Sequence, residues 1–225
     1  MSLRATIPGS RATGGGRRGD SGFAPYQVAA RRLLRETLFR AARAELEQRT
    51  WSEITMADVA RTAGVSRHTL YRTFRTRSEF AQAFVIHEGE RFFDVVEEAV
   101  RRHFDDPHVA VAAGLEAFLE SARGDKMVGL VLSDDGTGGV LPLLTTQGMP
   151  VVRWATARLA QVIAEGWPAA PGEDVALLAE TLVRLAISHL IAPDTAPPGI
   201  AAGNSRLLGP FIDRVLTGAP GEVAP

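Results

Sequence analysis

The sequence predicts an all-α chain, with a small N-terminal helix-turn-helix unit ahead of a larger helical bundle. Three observations point there. Apolar residues recur at helical spacing over most of the 225 residues, and no segment sustains the period-two alternation of a strand. Thr55, Gly64 and Ser66 punctuate one short stretch as caps and a turn would. The third is the absence of any internal repeat.

Residues 1–25 carry six Gly and four Arg and little to bury, so they are expected to be a disordered tail. Residues 26–48 place Val28, Leu33, Leu34, Leu38, Ala41, Ala42 and Leu46 at mostly helical spacing, with Arg and Glu between them. Short helices are expected over 55–63 and 66–74. A long one over 78–104 carries Phe80, Phe84, Val85, Phe92, Val95, Val96 and Val100. Pro107 opens a helix to about 122, and another covers 126–133. Asp134-Asp-Gly-Thr-Gly-Gly139 reads as a loop. A short piece near 140–147, a helix over 149–166 and the strongly apolar 173–192 follow. Residues 193–203, with three prolines and two glycines, read as a linker before a last helix at 204–217.

The stretch 51–74 is the most informative. Thr55 stands at an N-cap with Asp58 three residues on, as in a capping box. On a helical wheel Met56, Val59, Ala60 and Ala63 form one apolar stripe, with Arg61 opposite. Gly64 ends the helix and Ser66 caps the next, which makes a helix-turn-helix. In the second helix Leu70 and Phe74 point inward. His68, Thr69 and Arg72 face the other way, with Arg67 at the start and Tyr71 and Thr73 on the flanks. Arginines pair bidentately with guanine, and hydroxyls suit phosphate oxygens. Thr55 is placed to offer backbone N–H groups to a phosphate, and Arg75 and Arg77 add charge to a phosphate track.

Charge partition agrees. Residues 1–80 hold 15 Arg, no Lys and 7 acids, net +8, and the remainder is net −9, although the whole chain is only −1. A basic front suggests a nucleic-acid partner. The chain has no cysteine, which excludes disulfides, thiolate zinc sites and a cysteine nucleophile. There is no secretory leader pattern and no membrane-spanning run, so a cytoplasmic protein is expected. The phosphate-loop, G-x-S-x-G and H-E-x-x-H patterns are absent. His103, Asp105, Asp106 and His108 cluster around a helix end, where capping explains them better than a metal. No metal and no cofactor are expected.

Ile54-Thr55-Met-Ala-Asp-Val-Ala60, Ala63-Gly-Val-Ser66 and Thr69-Leu-Tyr-Arg-Thr-Phe74 resemble the TetR-type one-component repressors. Arg75-Thr-Arg-Ser78 stands where those usually have a Lys-rich segment, and Arg72 replaces a second aromatic. Leu130–Leu144 and Ser205–Leu216 resemble regulators of quorum-signal lactone degradation.

The family resemblance implies a homodimer on a pseudo-palindromic double-stranded DNA operator, released by a small-molecule effector. It implies DNA contact from Thr55, Ser66, Arg67, His68, Thr69, Tyr71, Arg72, Thr73 and Arg77. It also implies a domain division into 26–77 (helix-turn-helix) and 78–225 (effector binding and dimerisation). Leu178, Leu182, Leu185, Leu208, Phe211, Ile212 and Val215 are candidates for the dimer interface. Phe118, Leu132, Leu144, Thr145, Gln147, Trp154 and His189 are candidates for a largely apolar pocket. Two other readings stay open: a small helical enzyme acting on an acyl or lactone substrate with His189 or His103 as base, and an interaction module indifferent to DNA sequence.

Overall fold

A computed structural model describes residues 23–133, 139, 141–192 and 199–218, which contain ten α-helices and no strand. Of the disordered tail expected over residues 1–25, residues 1–22 lie outside the described residues, whereas residues 23–25 belong to the first helix; residues 134–138 of the expected loop and 193–198 of the expected linker also lie outside the described residues. The chain divides into two compact units, residues 1–36 and 37–225.

The described part of the first unit is the beginning of α1 (Phe23–Leu46). Val28 and Leu33, expected in the apolar stripe, are exposed there. Arg32 and Glu36 form an i,i+4 pair at 3.2 Å.

The second unit opens with the rest of α1, where Leu38, Ala42 and Leu46 are buried. A 3₁₀ turn (Trp51–Glu53), α2 (Met56–Thr62) and α3 (Arg67–Thr73) follow. Their boundaries are set locally. The Thr55 hydroxyl donates to Asp58 Oδ2 at 2.6 Å, and the Asp58 N–H donates back to that hydroxyl at 3.2 Å. Gly64, with φ of 68°, lets the Val65 N–H reach the Ala60 carbonyl at 3.0 Å and the Gly64 N–H reach Arg61 at 3.1 Å. This is the left-handed stop that closes a helix with two backbone bonds. The Ser66 hydroxyl accepts the Thr69 N–H at 3.0 Å. Phe39, Trp51, Phe74, Phe80 and Phe84 pack in tilted, stacked and edge-on pairs 5–7 Å apart (about), the spacing aromatic rings prefer.

The larger bundle comprises α4 (Arg77–Arg101), α5 (Pro107–Gly124), α6 (Lys126–Ser133), α7 (Met149–Gly166) and α8 (Gly172–Ile191). α9 (Ile200–Leu207) and α10 (Gly209–Ile212) follow, and a π turn (Asp213–Thr217) closes the described chain. α4 packs on α5 and α7, and α7 on α8. At Gly89 a Cβ would stand 3.1 Å from the Trp154 ring, so glycine lets the indole lie close against α4. The single last helix expected at 204–217 is three pieces. Pro210 has no N–H and its ring crowds the preceding turn, so the helix breaks at Leu208–Gly209. α9 also begins earlier than expected, behind Gly199 with φ of 75°.

Candidate DNA interface and ligand cavity

α3 divides as its wheel predicts. Leu70 and Phe74 have no exposed surface, whereas Arg67, His68, Tyr71 and Arg72 are exposed. Thr69 and Thr73 are half-buried. The Thr69 hydroxyl lies 2.9 Å from Ser66 Oγ, and the Thr73 hydroxyl donates to the Thr69 carbonyl at 2.9 Å. Ser66 and Thr55 are exposed caps. The Thr55 N–H, which the sequence offers to a phosphate, donates to Asp58 Oδ2 at 3.0 Å. These hydrogen bonds, from the hydroxyl first, hold the Asp58 carboxyl at about 2, with Arg61 and Arg49 adding to the effect.

Arg77 differs from the other candidates. It is half-buried, donates to the Trp51 carbonyl through Nη2, and holds its guanidinium carbon 5.4 Å from the Trp51 ring centroid. α2 is tied to α1 by Glu45, which accepts from the Thr62 hydroxyl and from Arg49; these bonds lower its carboxyl pKa.

The bundle encloses a cavity of about 170 Å³ whose wall is almost wholly apolar. Lining residues on α4 run from Phe84 to Val100, a rise of about 24 Å along that helix. Phe118, Leu132, Leu144 and Trp154 line it. Thr145, Gln147 and His189 do not. Thr145 donates to the Leu141 carbonyl at 3.1 Å on the outside of its turn, Gln147 is exposed, and His189 meets Asn204 of α9 at 3.1 Å. Among the described lining residues only Glu88 and Asp125 are ionisable, and neither carries a signal in the sequence that marks it out. Phe84, Val85, Phe92, Val96 and Val100 were visible as the apolar stripe of α4; that the stripe faces a cavity rather than solid core was not.

The interface candidates need correcting. Leu178, Leu182, Ile212 and Val215 are buried in the chain's own core, at 8% exposure or less, so they have no surface left for a partner. Leu185, Leu208 and Phe211 are partly exposed. Within the apolar segments 173–192 and 204–217, α8 and α9 present Leu177 and Leu207 at 56% and 79% exposure. At the start of α5, Asp106 accepts the His108 and Val109 N–H groups at 2.9 and 3.1 Å, and His108 pairs with Asp213 at 2.7 Å. Among the described residues no group of three or more potential ligands is placed to hold a metal, and no helix is long and apolar enough to cross a membrane.

Two family models match the chain. Residues 38–84 match the bacterial regulatory proteins of the tetR family, and residues 106–210 match the bacterial tetracyclin repressor C-terminal domain. The HTH-type transcriptional regulator AlkX of Mycobacterium tuberculosis is 34% identical over 84% of this chain and 90% of its own length. The crystal structure of the TetR family repressor AlkX from Dietzia sp. strain DQ12-45-1b, implicated in biodegradation of n-alkanes, is 32% identical. It superposes with a TM-score of 0.68 over 81% of this chain and 96% of that one. The chain therefore belongs to the TetR family and is a transcriptional regulator, not an enzyme.

Proposed function

We propose that the protein is a ligand-responsive repressor that binds a pseudo-palindromic operator as a homodimer and leaves it when a largely apolar effector fills the bundle cavity. The observation that carries this reading is the split of α3: Leu70 and Phe74 rooted in the core, Arg67, His68, Tyr71 and Arg72 open on the opposite face. A recognition helix needs such a rigid anchor behind a donor-rich surface. Residues 26–77 read DNA, with Thr55, Ser66, Thr69 and Thr73 near the phosphates. Residues 78–225 bind the effector and the second subunit.

The two-fold axis of the operator demands a two-fold protein. Leu177 and Leu207, with the partly exposed Leu185, Leu208 and Phe211, supply apolar surface for it. The apolar cavity wall and the n-alkane context named for the Dietzia relative together favour an effector built on an alkyl chain. Occupancy then shifts the population away from the DNA-binding arrangement.

Selection of bound duplexes from a random pool tests this. The expected product is a two-fold symmetric motif, bound by a species that light scattering sizes as a dimer. A pool that enriches no motif overturns the reading in favour of a sequence-indifferent module.

A further inference from the structure

The two charged side chains of the cavity wall belong to one run of ion pairs. Arg43 of α1 pairs through Nη1 with Glu88 Oε2 on α4. Arg91, one turn along α4, lies 3.9 Å from the same oxygen through Nη1 and 2.6 Å from Asp125 Oδ2 through Nη2. Asp125 accepts the Met127 and Val128 N–H groups at 2.7 and 3.3 Å, so it caps α6. α6 gives the cavity Met127, Val128 and Leu132. At the other end α1 carries Glu45, which holds α2 through Thr62. The run thus joins α6, the cavity wall, α4 and α1 to the helix-turn-helix.

Burial makes the connection stiff. The side chains of Glu88 and Asp125 are 16% and 9% exposed, and a carboxylate so placed cannot lose its cation without leaving an uncompensated charge. The outer parts of the two arginines are freer, at 33% and 54%. The carboxylates therefore keep partners, and a displaced one carries its arginine along.

We propose that Arg43–Glu88–Arg91–Asp125 is the path by which cavity occupancy reaches the helix-turn-helix, with Arg43 and Glu88 as its joint. The proposal rests on the effector reading above. An alkyl chain seated between Val128 and α4 displaces α6 and with it Asp125. Arg91 transmits that shift to Glu88, and Glu88 turns α1 through Arg43. Arg43 and Arg91 are positioning residues: neither lines the cavity, and neither is on the α3 face.

The test uses the full-length protein, a labelled operator from the selection and 1-dodecanol as the probe. Operator affinity is measured with and without dodecanol, and dodecanol binding is followed separately by tryptophan fluorescence. In wild type the ratio of the two affinities is expected within the usual allosteric range of about 5–150. Arg43→Gln binds dodecanol as wild type does, but its ratio collapses to near one. Arg43→Lys, which keeps the charge, recovers part of it. Arg91→Gln, at a half-exposed site that tolerates change, collapses it as well, so the proposal does not depend on one variant folding. Glu165→Gln, which removes the Arg101 pair at 3.0 Å elsewhere in the bundle, leaves the ratio intact. Folded Arg43→Gln and Arg91→Gln proteins that keep the wild-type ratio overturn the path alone. Wild type that holds operator but does not bind dodecanol overturns the effector reading, and the path falls with it.

Discussion

Arg77→Ala separates a structural arginine from a DNA-contacting one. Read from sequence, Arg77 continues a basic track beyond α3. In the structure it clamps the 3₁₀ turn to the first turn of α4, donating to the Trp51 carbonyl with its guanidinium over the indole. Trp51 is itself buried and stacks on Phe80 and Phe84 at 6.2 and 5.8 Å. A hydrogen bond from a charged donor contributes about 1.5–3 kcal/mol net. A partly exposed cation–π contact adds roughly 0.5–1 kcal/mol. The Trp51 carbonyl also accepts the Ile54 N–H at 3.2 Å, so removing Arg77 leaves no orphaned acceptor. The loss then falls toward the lower end, about 2 kcal/mol, or roughly 4–8 °C in melting temperature for a chain of this size. A phosphate contact has a different signature: no change in stability, and a fall of about 0.9 in the slope of log affinity against log salt. Thermal melts and operator titrations over a salt series measure both. An unchanged melt with a slope lower by about 0.9 would refute the structural assignment.

Three further outcomes are expected. Arg72→Ala leaves the melt untouched and relaxes base preference by about 1–3 kcal/mol, measured on a panel of single-substitution operators; uniform weakening on every sequence would contradict base reading. Leu144→Phe, which fills part of the cavity, weakens dodecanol binding, while Gln147→Ala on the exposed side of the same segment does not; equal effects on tryptophan-monitored titration would misplace the site. The Asp58 carboxyl is lowered from 3.8 to about 2 by Thr55 and Arg61, so its stabilisation is present above pH 3.8 and is lost as pH falls through about 2. Asp58→Asn lacks that contribution, and its unfolding midpoint against pH is shallower across that window; a slope identical to wild type would show that the capping box does not act through the charged carboxylate.

What could be read from sequence follows a physical rule. The helix-turn-helix was legible because Thr55–Asp58, Gly64 and Ser66–Thr69 are encoded within three or four residues of where they act, and one wheel is enough to root Leu70 and Phe74. The pairings that tie distant elements together are not local. Arg77 meets Trp51 across 26 residues, Arg91 meets Asp125 across 34, and Arg43 meets Glu88 across 45. No periodicity contains that information. α8 shows the same limit: its residues are apolar on more than one face, so spacing alone cannot say that Leu178 and Leu182 fill the core while Leu177 stays outside.

Phe118, Leu132, Leu144 and Trp154 line the cavity as expected, but its polar groups differ from the expected ones for a chemical reason. The sequence points to Thr145, Gln147 and His189 because a pocket with an apolar wall is expected to hold a few neutral polar groups. This one takes its polar character instead from two carboxylates, each engaged by arginine. A lone Glu or Asp on a helix reads as solvated surface until its partners are known. Once they are, the same pairing that makes Glu88 tolerable inside the wall also ties the wall to α1, so the electrostatic cost of a charged lining and the transmission of a signal have one structural origin.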